Sequence, residues 1–283
     1  MSYNQYKPAG FGSLPPVVKN LLILNILFFL GTYLIGMTNN IDLKDIFGLR
    51  YPLSQDFRPY QFITYMFMHG GLSHLFFNMF ALWMFGKILE NVWGGKRFLI
   101  FYLVCGIGAA LTHYVVAWFE IHPVVQAMNG FLDNPSYQTL MDFVGNHKFH
   151  VSEYSGIVWD HFQVFQQQAG VLQYDPSNHA ALQASIDFVT EYKEYFLNLP
   201  NVIGASGAIF GLLLAFGMMF PNAEIYIYFL FPLKAKWFVA IYGVIELISG
   251  FVDSNGNVAH FAHLGGMIFG FLLIRYWKKQ NIF

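Results

Sequence analysis

Three polar groups in this chain stand out as able to do chemistry. They are a serine in Gly204-Ala205-Ser206-Gly207-Ala208, a pair four residues apart at His74 and Asn78, and a pair three residues apart at His260 and His263. All lie in apolar runs, and a polar side chain inside a spanning helix is costly enough to mark a candidate functional site. Ser206 follows Pro200 and Asn201 at the expected start of a helix. There, free backbone N–H groups and the positive end of the helix dipole favour an oxyanion forming beside the hydroxyl. Gly207 and Gly211 form a G-x-x-x-G pair, as do Gly266 and Gly270. Two such helices can approach closely enough for a direct Ser–His hydrogen bond of about 2.6–3.2 Å. The same glycines also fit a simpler role in close helix packing. His74 and Asn78 share a helix face and can either donate hydrogen bonds to a tetrahedral oxyanion or hold neighbouring helices together. His260 and His263 can be read as metal ligands alongside His69 and His74. The chain has no His-Glu-x-x-His, and the one acid near their level is Asp253 in an expected loop, so neither metal nor cofactor is expected. His113 and Glu246 also fall in apolar segments and need partners that the sequence does not name.

The elements that must position these residues are set by an apolar composition. Of 283 residues, 56% are hydrophobic and only 11% charged, with 32 Phe and 26 Gly. This is outside the range of ordinary soluble domains and suits helices that face lipid with bulky side chains and meet through small ones. Net charge is −1, which gives no reason to expect a nucleic-acid partner, and the lone Cys105 excludes an intrachain disulfide. A spanning helix needs about 20 apolar residues. Six segments meet or approach this, at 17–36, 71–89, 98–119, 204–220, 237–251 and 258–277. Breaks rich in Gly, Pro and charge separate them, including 93–97, 221–222 and 253–257. The fold expected is therefore an all-α polytopic membrane protein, a six-transmembrane-helix bundle. The first segment lacks a small-residue cleavage site after it and is expected to stay in the mature chain. Residues 1–16 form a cytoplasmic segment, and 17–283 form the membrane domain, interrupted between helices 3 and 4 by a helical extramembrane insertion at 120–200. Runs at 158–171 and 179–197 carry the spacing of amphipathic helices within that insertion.

Ten of the fifteen basic residues fall on one side if the N-terminus is inside: Lys7, Lys19, Lys87, Lys96, Arg97, Lys234, Lys236, Arg275, Lys278 and Lys279. Both termini are accordingly expected to be cytoplasmic. Counting from the cytoplasmic ends, His74 precedes Glu90 by sixteen steps, Ser206 precedes Phe220 by fourteen and His263 precedes Lys278 by fifteen. These are depths of about 24, 21 and 22 Å, in helices that run the same way. Three unrelated polar residues would not need to agree in depth. A shared site facing the outer side requires it.

Three segments carry a family resemblance. His69-Gly70-Gly71-Leu72-Ser73-His74-Leu75-Phe76-Phe77-Asn78, then Gly204-Ala205-Ser206-Gly207, then Ala262-His263-Leu264-Gly265-Gly266 resemble, in order, the signature segments of rhomboid intramembrane serine proteases. The resemblance implies a Ser–His dyad without an Asp, in which Ser206 attacks the scissile carbonyl and His263 takes its proton. It implies an oxyanion hole from His74, Asn78 and the Ser206 backbone N–H, and it implies that Phe210 stacks on the catalytic histidine where the commoner residue is Tyr. It also implies hydrolysis of membrane-protein substrates that contain a transmembrane helix, admitted by movement of helix five and the loop before helix six. The setting implied is a bacterial plasma membrane. A relative that only escorts membrane clients would be expected to lack the serine or the histidine. Two features depart from the family pattern: Arg58-Pro59-Tyr60-Gln61 stands where a Trp-Arg pair is common, and the 120–200 insertion is long.

Overall fold

A computed structural model describes residues 14–39, 41–227, 231–252 and 257–280. The expected cytoplasmic segment 1–16 lies mostly outside the described residues, as does most of the expected break at 253–257.

The protein is mostly helical, and its apolar residues are arranged for a bilayer. Among the described residues, four helices are long and apolar enough to cross a membrane: Pro16–Asn39, Leu72–Trp93, Gly95–Asp133 and Ala235–Val252. Ser206–Met219 is a shorter apolar helix, and Asn257–Lys279 ends on Lys278 and Lys279. The first helix buries only Val18, Leu21 and Asn25, and exposes Leu27, Leu30, Leu34 and Met37. Such a surface suits hydrocarbon as solvent, and the chain is a multi-pass membrane protein.

Contacts divide the chain into two compact units, one of Met1–Leu49, Pro59–His113 and Val202–Phe283, the other of Arg50–Arg58 and Tyr114–Asn201. At the centre of the first unit is Ser206–Met219, which buries ten of its residues, including Gly207, Phe210 and Gly211. Its small residues meet those of Asn257–Lys279. A Cβ on Gly266 would overlap the Gly207 carbonyl, and one on Gly211 would lie 3.0 Å from the Gly266 carbonyl oxygen. The two G-x-x-x-G pairs therefore let the backbones touch. The first helix is held at its start by Glu90, whose carboxylate accepts from the N–H groups of Val17 (2.9 Å) and Val18 (2.7 Å). A buried carboxylate thus caps the free N–H groups of a helix from another element. The loop before the second long helix is fastened without a Trp-Arg pair. Thr64 donates to the Phe47 carbonyl (2.7 Å), and Gln61 and Tyr60 donate to that of Ile46.

Two local expectations change. The third helix does not end near residue 119 but continues to Asp133 through Pro123. A proline removes one helix N–H without always ending the helix, and composition rather than backbone geometry had suggested the break. The second change is an antiparallel pair, Glu224–Ile227 with Phe231–Lys234, in register Glu224 to Lys234, so the fold is not purely helical.

The second unit contains the helices Tyr137–Val144, Ile157–Tyr174 and His179–Asn198 around a core of Phe131, Phe143, Phe165, Phe188 and Tyr192. Apolar residues at helical spacing explain this core. His147 bonds the Tyr192 hydroxyl at 2.7 Å. Burial, with His150 nearby, holds the His147 imidazole down at about 4.

Candidate active site

The serine is the first residue of its helix because the chain turns sharply just before it. Gly204 has φ +125°, a conformation that side chains other than glycine rarely adopt, and its N–H donates to the Tyr65 carbonyl at 2.9 Å. Tyr65 is fixed in turn by its hydroxyl, which donates to the Gly106 carbonyl at 2.7 Å. The turn leaves Ser206 at the helix N-terminus, among backbone N–H groups without intrahelical acceptors. Its Oγ is 2.8 Å from His263 Nε2, across the close approach made by Gly207 and Gly266.

Phe210 lies one turn deeper than Ser206. Its ring stacks on His263 with centroids 4.2 Å apart and planes within 5°. Tyr242, from Ala235–Val252, also stacks on Phe210, with centroids 5.3 Å apart. These rings restrict rotation of the imidazole while Nε2 stays directed at Oγ.

His74 and Asn78 are on the same helix face, but they are used differently. One N–H of the Asn78 amide donates back to the His74 carbonyl at 2.9 Å, leaving the other. His74 Nδ1 accepts from the Gly70 N–H at 3.4 Å, which places the ring proton on Nε2. A Cβ built on Gly204 would sit 2.8 Å from His74 Nε2 and 3.6 Å from Ser206 Oγ. The absent side chain therefore leaves an open position between a donor and the hydroxyl. His69 packs its ring against His74 at 5.0 Å.

All five expected site residues, Ser206, His263, His74, Asn78 and Phe210, line one cavity of about 520 Å³. Apart from Ser73 and Tyr242, its remaining wall is apolar, with Phe77, Met84, Leu213 and Phe238 among its residues. A second cavity of about 550 Å³, between Leu214, Val239, Leu264 and Met267, contains none of these polar groups.

The sequence did not group Glu246 with the site. Its carboxylate is 8% exposed, and Oε2 lies 2.9 Å from His263 Nδ1 and 2.7 Å from His260 Nδ1. The one signal in the sequence is that Glu246 is the sole acid in an apolar helix. Among the described residues, Glu246, His260 and His263 are the group with ligand atoms near one another, within 4.8 Å, rather than the four histidines weighed from sequence. Their polar atoms are joined by hydrogen bonds.

A model of the Rhomboid domain matches residues 56–122 and 173–280. The chain is 24% identical over 241 residues to an uncharacterized mitochondrial rhomboid protein of Schizosaccharomyces pombe, covering 80% of this chain and 53% of that one. It is 32% identical over 95 residues to the rhomboid protease GluP of Bacillus subtilis, covering 33% of this chain and 19% of the relative. With the rhomboid protease GlpG of Haemophilus influenzae it shares 27% identity over 130 residues, covering 42% and 63%. The chain thus spans about half the length of the fission-yeast relative and less than two thirds of the other two.

Proposed function

The chain belongs to the rhomboid family, and from that premise we propose that it is an intramembrane serine protease that hydrolyses peptide bonds in or near transmembrane segments of membrane proteins. The observation that carries the reading is the 2.8 Å contact between Ser206 Oγ and His263 Nε2 at the wall of a largely apolar cavity in a multi-pass membrane protein. A serine hydroxyl is a weak nucleophile until a base takes its proton, and an imidazole nitrogen at hydrogen-bond distance is such a base. Ser206 attacks the scissile carbonyl, His263 accepts the proton and then delivers it to the leaving amine, and water hydrolyses the acyl-enzyme by the reverse sequence.

The oxyanion is assigned to the open position beside Gly204, next to His74 Nε2, with the remaining Asn78 N–H and the backbone N–H of Ser206 assigned as its further donors. Each such donor contributes about 2.7–4 kcal/mol to the transition state. The apolar wall suits a transmembrane segment. Phe238 and Tyr242 place Ala235–Val252 at its edge, the element assigned to admit substrate.

In this reading Ser206–Met219 and Asn257–Lys279 complete a set of six spanning helices, with residues 120–200 as an extramembrane insertion. Both termini are cytoplasmic, the site opens to the outer side, and the membrane is a plasma membrane. The partners are membrane-protein substrates and the lipid bilayer.

The test is labelling of detergent-purified protein with a fluorophosphonate. Wild type is expected to label, and Ser206→Ala and His263→Ala are expected to lose labelling and cleavage of a single-pass substrate while remaining folded. Cleavage at the wild-type rate by either variant overturns the assignment.

A further inference from the structure

The pair of Ser206 and His263 does not end at the histidine. We propose that Glu246 is a positioning residue that fixes the tautomer and orientation of His263, so that the site works as a Ser206–His263–Glu246 triad with His260 as a second donor to the same carboxylate. The inference rests on the protease reading above and adds a third group to it.

The tautomer of His263 is decided by which atoms can donate. An ionised carboxylate is an acceptor only, so a neutral imidazole facing it at 2.9 Å through Nδ1 must carry its proton on Nδ1. Nε2 is then the bare nitrogen, and Nε2 is the atom 2.8 Å from Ser206 Oγ. The contact to Glu246 thus selects the one neutral tautomer that can take the serine proton. Without it, the ring is free to adopt the Nε2–H form, which cannot act as a base toward Ser206. When His263 becomes an imidazolium during the reaction, the charge forms beside a carboxylate in a region of low dielectric constant, where their attraction is stronger than in water.

Geometry also accounts for why an acid is tolerated in an apolar helix. Glu246 is the sole acid of Ala235–Val252, and a buried carboxylate is costly unless its oxygens are hydrogen-bonded. His260 meets this need, since its Nδ1 is 2.7 Å from the same Oε2. His260 and His263 are three apart and present Nδ1 to one acceptor from consecutive turns. Phe210 and Glu246 hold the ring in complementary ways. Stacking fixes its plane, and the carboxylate fixes its rotation within the plane. The carboxylate touches no substrate atom, so it acts through His263.

The closing experiment measures kcat and KM for a single-pass substrate, and fluorophosphonate labelling rates, for wild type, Glu246→Gln and Glu246→Asp. In Glu246→Gln, kcat and labelling rate should fall by about tenfold or more with KM little changed, because the wrong tautomer is populated while the cavity keeps its shape. Glu246→Asp keeps the charge and should recover part of the loss. A second measurement reads the tautomer in the unaltered protein and needs no variant at Glu246. In the ¹⁵N-histidine spectrum of wild type, the signals missing from His263→Ala should be those of an Nδ1–H imidazole. Wild-type kcat and labelling rate in Glu246→Gln, or an Nε2–H tautomer at His263 in wild type, overturns the triad while leaving a Ser–His protease standing. Failure of wild type to label or cleave overturns the protease reading itself.

Discussion

At the scale of single residues, the proposed site depends on restricting an imidazole. Phe210 stacks on His263 at 4.2 Å and contributes no polar atom. Stacked aromatic pairs contribute about 0.5–1.5 kcal/mol beyond burial, so Phe210→Ala should lower the labelling rate of Ser206 about two- to tenfold. Phe210→Tyr, which keeps the ring, should stay near the wild-type rate. A time course of fluorophosphonate labelling compares the three. Most of this residue-level site was legible in the sequence, because Ser206, His263, His74 and Asn78 are polar groups in apolar segments and each was costly enough to need a reason. Glu246 was equally conspicuous, yet its partners could not be read. Its bonds to His260 and His263 span 14 and 17 residues across a helix–helix contact, and no spacing rule within one helix pairs them.

At the scale of elements, the distance between Ser206 and His263 is set by two backbones in contact. Gly266 lies one turn after His263, and Gly207 follows Ser206 directly. A Cβ on Gly266 meets the Gly207 carbonyl, which is backbone and cannot rotate away. Gly266→Ala should therefore separate the two helices, cost about 1–3 kcal/mol of stability by overpacking, and slow labelling of Ser206 as the Ser–His contact lengthens. Gly31→Ala is the matching control, since a Cβ there has nothing within 4 Å. Thermal unfolding in detergent, followed with labelling at a permissive temperature, should separate the two variants clearly. The G-x-x-x-G spacing made this approach foreseeable. The turn at Gly204 was less so, because the sequence shows a glycine but neither its φ of +125° nor that a Cβ there would meet His74.

At the scale of the whole molecule, Glu90 ties the first helix to another element by a long-range contact. Its two oxygens accept from Val17 and Val18, more than seventy residues away. Hydrogen bonds to a charged group contribute about 1.5–3 kcal/mol, so Glu90→Ala should lower the thermal unfolding temperature by the loss of roughly that much stability. Labelling of Ser206 below the transition should be unchanged, since Glu90 does not line the site cavity. A loss of labelling in folded Glu90→Ala would mean that the first helix supports the site as well as the fold.

The sequence by itself determined the membrane setting, the approximate helical segments and the order of the signature motifs, and helix rise led to the expectation that His74, Ser206 and His263 share a depth. These follow from hydrophobicity, helix rise and residue chemistry, all of which are local. Tertiary structure alone decided that Glu90 caps the first helix, that Tyr60, Gln61 and Thr64 fasten the loop lacking a Trp-Arg pair, and that Glu246 faces both histidines. Each is a hydrogen bond between side chains or backbone brought together from separate parts of the chain. A hydrophobic pattern specifies which face of a helix is buried, but the rotation and register that choose a polar partner on that face are settled only when the helices pack.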